Sequence, residues 1–240
     1  MFVPLWDMNP VKRVRFQYVT VGLILANCIF YFAFQAGLIY AVSEAALVGL
    51  AVVPNELLPG FLSQTPVAAP VQSIVPARLT LITYMFLHGN ILHLLGNMIF
   101  LWVFGDNVED AMGHIRYLFF YLICVIFAGL THALVSPTSN IPMIGASGAV
   151  AGVIAAYLML HPNVRVWCLW FFRIPLRVSA GFAMIVWIAL QVVSVIFDEG
   201  GSTAWWAHIG GLVAGAVLVL FMRRPGVPLF DRATGLEPRS

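Results

Sequence analysis

Charge is what this sequence has least of. Only 9% of its 240 residues are Asp, Glu, Lys or Arg, against about a quarter in an ordinary soluble domain. That deficit excludes a water-solvated globular body. Twelve cations against ten anions leave a net charge of +2. No basic stripe is present, so a nucleic-acid partner is excluded. Cysteine is also scarce. Cys28, Cys124 and Cys168 stand far apart, and an odd number of scattered thiols in apolar runs builds no disulfide framework. The first 15 residues hold Lys12, Arg13 and Arg15 with no apolar run before them, so no cleavable signal peptide is expected.

What is abundant is apolar. Hydrophobic residues make up 61% of the chain and the mean hydropathy is +0.94. The expectation is an all-α, multi-pass membrane protein. Six apolar segments are candidate spans: Phe16–Tyr40, Leu79–Phe104, Ile115–Val135, Gly145–Leu160, Val178–Phe197 and Ala204–Met222. They divide the chain into a cytoplasmic segment (1–15), a six-helix transmembrane domain (16–222) and a polar tail (223–240) with Pro225, Pro228 and Pro238. With the N-terminus in the cytoplasm, eleven of the twelve Lys and Arg residues fall on the inner side, and only Arg78 falls outside. Asp198 and Glu199 fall in an outer loop. This asymmetry places both termini in the cytoplasm. The second, fourth and sixth spans then run inward. The long first outer loop, Ala41 to Arg78, is nearly uncharged and is expected to pack on the bundle or lie in the interface.

The fourth span is short and opens on Gly145-Ala146-Ser147-Gly148. Sixteen helical residues reach about 24 Å, less than the ~30 Å hydrocarbon core. Its start is expected below the outer surface, at the floor of a cavity open to the outside. Two other inward-running spans bring polar groups to that depth: His93 and Asn97 in one, His208 in the other. His93 and Asn97 share a helix face. His88, five residues before His93, is expected to point about 140° away at 100° per residue.

A serine needs a base to become a nucleophile. His208 is the candidate. It precedes Gly211 and Gly215, a GxxxG pair that permits close approach of a second helix. The small face of Gly148, Ala151, Gly152 and Ala155 could supply the partner surface and bring Ser147 to His208. Donors for an oxyanion are available from the Ser147 N–H at a helix start and from Asn97 and His93. No acidic residue lies in the outer half of any span, so such a site would be a Ser–His dyad. A zinc site at His88, His93 and His208 is disfavoured because the five-residue spacing splays the first two and no carboxylate or thiolate is near. No metal or cofactor is expected. His114, His132 and His161 fall at span ends or in loops, where an imidazole needs no special role. Glu109, at the inner end of the second span, is expected to bond loop backbone. Several of the seven tryptophans read as interface anchors.

The chain resembles the rhomboid family of intramembrane serine proteases. The resemblance rests on His88, His93 and Asn97 in HGNILHLLGNM, on Gly105, Glu109 and Gly113 in GDNVEDAMG, on Gly145 to Gly148 in GASG, and on His208, Gly211 and Gly215 in HIGGLVAG. It implies a six-helix rhomboid-like bundle with Ser147 as nucleophile and His208 as base. It implies that His93, Asn97 and Gly145 serve the oxyanion and substrate, and that His88, Gly148, Gly211 and Gly215 are structural. The substrates implied are membrane-anchored proteins in the bilayer. Two features depart from the family pattern. Pro76-Ala77-Arg78 stands where Trp-Arg is common, and Ala151 stands where some members place an aromatic on the histidine. With no transit-peptide pattern and no extra domain, a bacterial inner membrane is the expected location.

Overall fold

The structure, a computed structural model, describes residues 2–62, 75–170, 173–197 and 205–232. Its helices are α1 (Tyr18–Phe30, prolonged by a wider turn to Gln35), α2 (Glu44–Val48), α3 (Pro54–Leu62), α4 (Ala77–Thr83), α5 (Ile91–Met112), α6 (His114–Val135), α7 (Ser147–Leu160), α8 (Ala180–Phe197) and α9 (Trp205–Met222). Four are long and apolar enough to cross a membrane: Tyr18–Gln35, α5, α6 and α9. Two shorter apolar helices, Ser147–Leu160 and Ala180–Ala189, complete the set. The protein is a mostly helical, multi-pass membrane protein. Asp198, Glu199, Pro238 and Arg239 lie outside the described residues.

The chain is not all-α. Strands β1 (Phe2–Asp7), β2 (Arg165–Trp170) and β3 (Ile174–Ser179) form an antiparallel sheet in the order β1-β2-β3. The segment between the fourth and fifth apolar runs is therefore a hairpin, and the N-terminal segment is its third strand. Period-two burial explains it: Val166 and Cys168 are buried while Arg165 is exposed.

The second apolar run also divides differently from expectation. Leu79 belongs to the short α4, and a separate helix begins at Ile91. The break is chemical. Asn90 is extended and its side chain accepts the His93 N–H at 2.9 Å, an N-cap. Hydropathy alone does not register a cap inside an apolar stretch. The described first part of the loop after α1 packs on the bundle, as Val52 pairs with Met143 and both Val52 and Leu57 are buried.

At the opposite end of α5, two adjacent acids tie down the entry to α1. Glu109 accepts the backbone N–H groups of Val19 (3.0 Å) and Thr20 (2.8 Å) and the Thr20 hydroxyl (2.7 Å). It thus satisfies first-turn donors that Gln17 leaves uncapped. Asp110 accepts the N–H groups of Arg13 and Val14. Glu109 does bond backbone, and it takes the His114 ring as well.

Asp7 fastens β1 to the bundle, accepting from the Tyr157 hydroxyl of α7 and from the Asn107 amide of α5. Burial pushes its carboxyl up from 3.8 to about 7, against the lowering effect of the Tyr157 bond, with the Asp106 charge adding to the rise. Between those two values the fold holds a proton that the unfolded chain has released. Stability from this group is present at acid pH and is lost as pH rises through about 7. Asp7→Asn should therefore flatten the decline of the thermal midpoint between pH 3.8 and about 7. Parallel declines in variant and parent would show that Asp7 does not set it.

Candidate active site

Helix α9 packs closely on both α7 and α6, and glycine is the reason. A Cβ on Gly211 would overlap the Gly148 carbonyl, and one on Gly215 would overlap the Gly152 carbonyl. Helices α7 and α9 therefore run parallel with their backbones in contact. At the same glycines α7 also meets α6. A Cβ on Gly152 would lie 2.6 Å from the Cys124 sulfur, and one on Gly148 would overlap Ala128. Small residues at four-residue spacing produce this approach.

That approach places Ser147, the first residue of α7, 2.8 Å from Nε2 of His208 near the start of α9. His208 is buried. Two tryptophans flank its ring, Trp187 of α8 at 6.0 Å and Trp205 at 5.7 Å between centroids. They supply the aromatic wall that Ala151 cannot. Their spacing from His208 in sequence gave no sign of this, because a tryptophan near a span end also serves as an interface anchor.

His93 and Asn97 face the same space from α5. The Gly89 N–H points at His93 Nδ1 at 3.4 Å. If that nitrogen accepts, Nε2 carries the proton and is a donor. The Asn97 amide donates to the His93 carbonyl at 3.0 Å and retains a second N–H. A cavity of about 690 Å³ joins these groups. Ser147, His208, His93, Asn97, Phe100 and Trp187 are among its lining residues.

Gly145 is fixed beside them. It adopts φ +111°, outside the range of ordinary L-residues, and its N–H bonds the Tyr84 carbonyl at 3.0 Å. A Cβ there would stand 2.7 Å from His93 Cε1. Gly145→Ala should thus displace the His93 ring as well as strain the turn before Ser147. Serine labelling by a phosphonate electrophile should fall by about 10²-fold, while the helical circular dichroism is kept. Labelling within twofold of the parent would show that the turn tolerates a side chain.

His88 does not share a helix with His93, because the α5 cap intervenes. Their rings meet edge to face at 5.1 Å, so they are neighbours and not splayed apart. The backbone of His88 exchanges hydrogen bonds with the Gln35 side chain. Among the described residues no group of three or more His, Cys, Asp or Glu side chains could hold a metal ion.

The match to known proteins covers the stretch that holds these residues. Residues 77–225 match the model of the Rhomboid domain. The chain belongs to the rhomboid family. It is similar to "RHOMBOID-like protein 6, mitochondrial" of Arabidopsis thaliana, with 32% identity over 58% of this chain and 41% of the relative. It is 28% identical to "Rhomboid-like protease 3" of Toxoplasma gondii, over 60% of this chain and 51% of that protein. "Rhomboid protein 1, mitochondrial" of Saccharomyces cerevisiae is 27% identical over 60% and 41%. This rhomboid thus spans about half the length of the curated relatives it matches. These relatives are eukaryotic, and two carry "mitochondrial" in their names. They lend no support to a bacterial inner membrane.

Proposed function

We propose that this rhomboid is an intramembrane serine endopeptidase that hydrolyses peptide bonds in or near the spans of membrane-anchored proteins. The observation that carries the reading is the 2.8 Å approach of Ser147 Oγ to His208 Nε2 at the wall of a cavity lined by His93 and Asn97. In this reading Ser147 attacks the scissile carbonyl as His208 takes its proton. The developing oxyanion is held by the Ser147 N–H at the start of α7, by His93 Nε2–H and by the Asn97 amide. His208 then protonates the leaving amine. Water, activated by the same base, cleaves the acyl-enzyme.

Six spans with both termini in the cytoplasm fit this function. Among the described residues four helices are long and apolar enough to cross a membrane and two more are shorter and apolar, and the Lys and Arg asymmetry supports an outward Ser147 end of α7. The cavity then opens toward the outer side.

The substrate segment must leave its helical form before a carbonyl can reach Ser147. Cleavage in proteoliposomes should favour spans with Gly or Pro near the cut and a small residue before it. Replacing those residues with Leu should cut the rate by about tenfold or more; an unchanged rate would contradict the required unwinding. The rate should also fall in acid as His208 takes up a proton and ceases to be a base.

A further inference from the structure

The sheet of β1, β2 and β3 has no part in the mechanism above. Hydrogen bonds set the depth of its base. Asp7 accepts from Tyr157 of α7 and from Asn107 of α5. Tyr157 lies three residues before the end of α7, and Asn107 five before the end of α5. At about 1.5 Å per residue those positions are about 4.5 and 7.5 Å inside the helix ends. The 22 residues of α5 reach about 33 Å, close to the ~30 Å hydrocarbon core. The sheet therefore begins beside the helix ends, where hydrocarbon gives way to headgroups. At its other side β3 runs directly into the apolar α8 at Ala180.

Register gives the sheet two faces. One is buried at Val166 and Cys168 of β2. The other carries Arg165, Trp167 and Leu169, at period two along the same strand. Trp6 of β1 and Arg177 of β3 stand opposite Trp167 and share its face. The Trp6 and Trp167 rings meet at 5.7 Å between centroids. Arg165 and Arg177 are exposed, and neither has an ion-pair partner among the described residues. The one acid of the three strands, Asp7, pairs with Val166 on the buried face. Apolar side chains are exposed too: Trp6 by 53%, Ile174 by 54% and Leu176 by 40%. Water disfavours that much apolar surface, and hydrocarbon disfavours two unpaired guanidiniums. A membrane interface accommodates both, since tryptophan settles at headgroup level and arginine is drawn to anionic lipid.

We propose that this face binds anionic phospholipid headgroups at the end of the bundle opposite Ser147, with Arg165 and Arg177 on the phosphates and Trp6 and Trp167 at the interface beside them. Each guanidinium can hold a phosphate through two parallel N–H donors. The inference needs the membrane placement of α5 and α7 and does not depend on the chemistry of Ser147 and His208.

The test uses the full chain in nanodiscs of phosphatidylcholine. They are doped with a photoactivatable phosphatidylglycerol or with the matching photoactivatable phosphatidylcholine, and adducts are mapped by peptide mass spectrometry. Phosphatidylglycerol adducts on the three strands should exceed phosphatidylcholine adducts by about tenfold at low salt. The excess should shrink as salt is raised. Arg165→Gln/Arg177→Gln should reduce it to about twofold or less, whereas Arg165→Lys/Arg177→Lys keeps both charges and should retain most of it. Arg15→Gln/Arg116→Gln removes two other exposed cations at the same end of the bundle and should leave the excess within about twofold of the parent's. Equal adducts from the two lipids overturn the inference. So does an excess that survives in the Gln pair, or one lost to the same degree in the Arg15 and Arg116 control. Strands that take no lipid adduct, or that cross-link to a second copy instead, overturn it as well. If the Gln pair does not fold, Arg177→Gln set against Arg177→Lys decides by the same criteria. All of these outcomes leave the protease reading standing.

Discussion

Ser147→Ala and His208→Ala are each expected to abolish cleavage of a transmembrane substrate, by about 10³-fold or more, with little loss of stability. In the proposed mechanism the two residues act as one unit. The hydroxyl is a weak nucleophile until the imidazole 2.8 Å away takes its proton. The imidazole in turn, without Ser147, has no serine proton to take and no acyl-enzyme to deacylate. The double variant should therefore be about as inactive as either single one. The contact of α7 with α9 is made chiefly by glycine backbones, which both variants keep. Thermal midpoints of both variants should stay within a few degrees of the parent. Losses that multiply in the double variant would mean that the two residues act separately and that the dyad is wrong.

Gly211→Leu should have the largest effect on stability. A Cβ on Gly211 would overlap the Gly148 carbonyl, and backbone cannot move aside as a flexible side chain can. Overpacking in a core costs about 1–3 kcal/mol where neighbours relax. Here the cost should reach the top of that range or exceed it, since α7 is also held by α6 through Ala128 and Cys124. Helix separation would also draw Ser147 away from His208, so residual folded protein should be inactive. Gly226→Leu is the control. Nothing lies within 4 Å of a Cβ there, although its φ of +80° carries local strain. Its cost should be confined to the strain of one turn, and activity should persist. Near-parental stability in Gly211→Leu would refute the close backbone contact of α7 and α9.

Much of this site was readable from residue type and spacing. The paired small residues of GASGAVAG and HIGGLVAG specify a helix contact at four-residue intervals, and that contact dictates where Ser147 and His208 meet. His93 and Asn97 followed from the i, i+4 relation within one helix. The rest was not readable, for physical reasons. Hydropathy sums over a window and passes through Asn90, whose side-chain cap starts α5 and takes His88 off that helix. The strand RVWCLW lies beside arginines between two apolar runs, where hydropathy registers no element, although its alternation of buried and more exposed residues is that of a sheet. Its pairing with residues 2–7 depends on β1 reaching across more than 150 positions. Trp187 and Trp205 share the composition of interface anchors, and only the packing of α8 and α9 turns them onto His208.

The most direct measurement is to treat the purified protein in mild detergent with a fluorophosphonate and map the adduct by peptide mass spectrometry. The account predicts one stoichiometric adduct on Ser147, absent from Ser147→Ala and reduced to background in His208→Ala. An intact, folded protein that takes no adduct at Ser147, or takes the same adduct without His208, would contradict it.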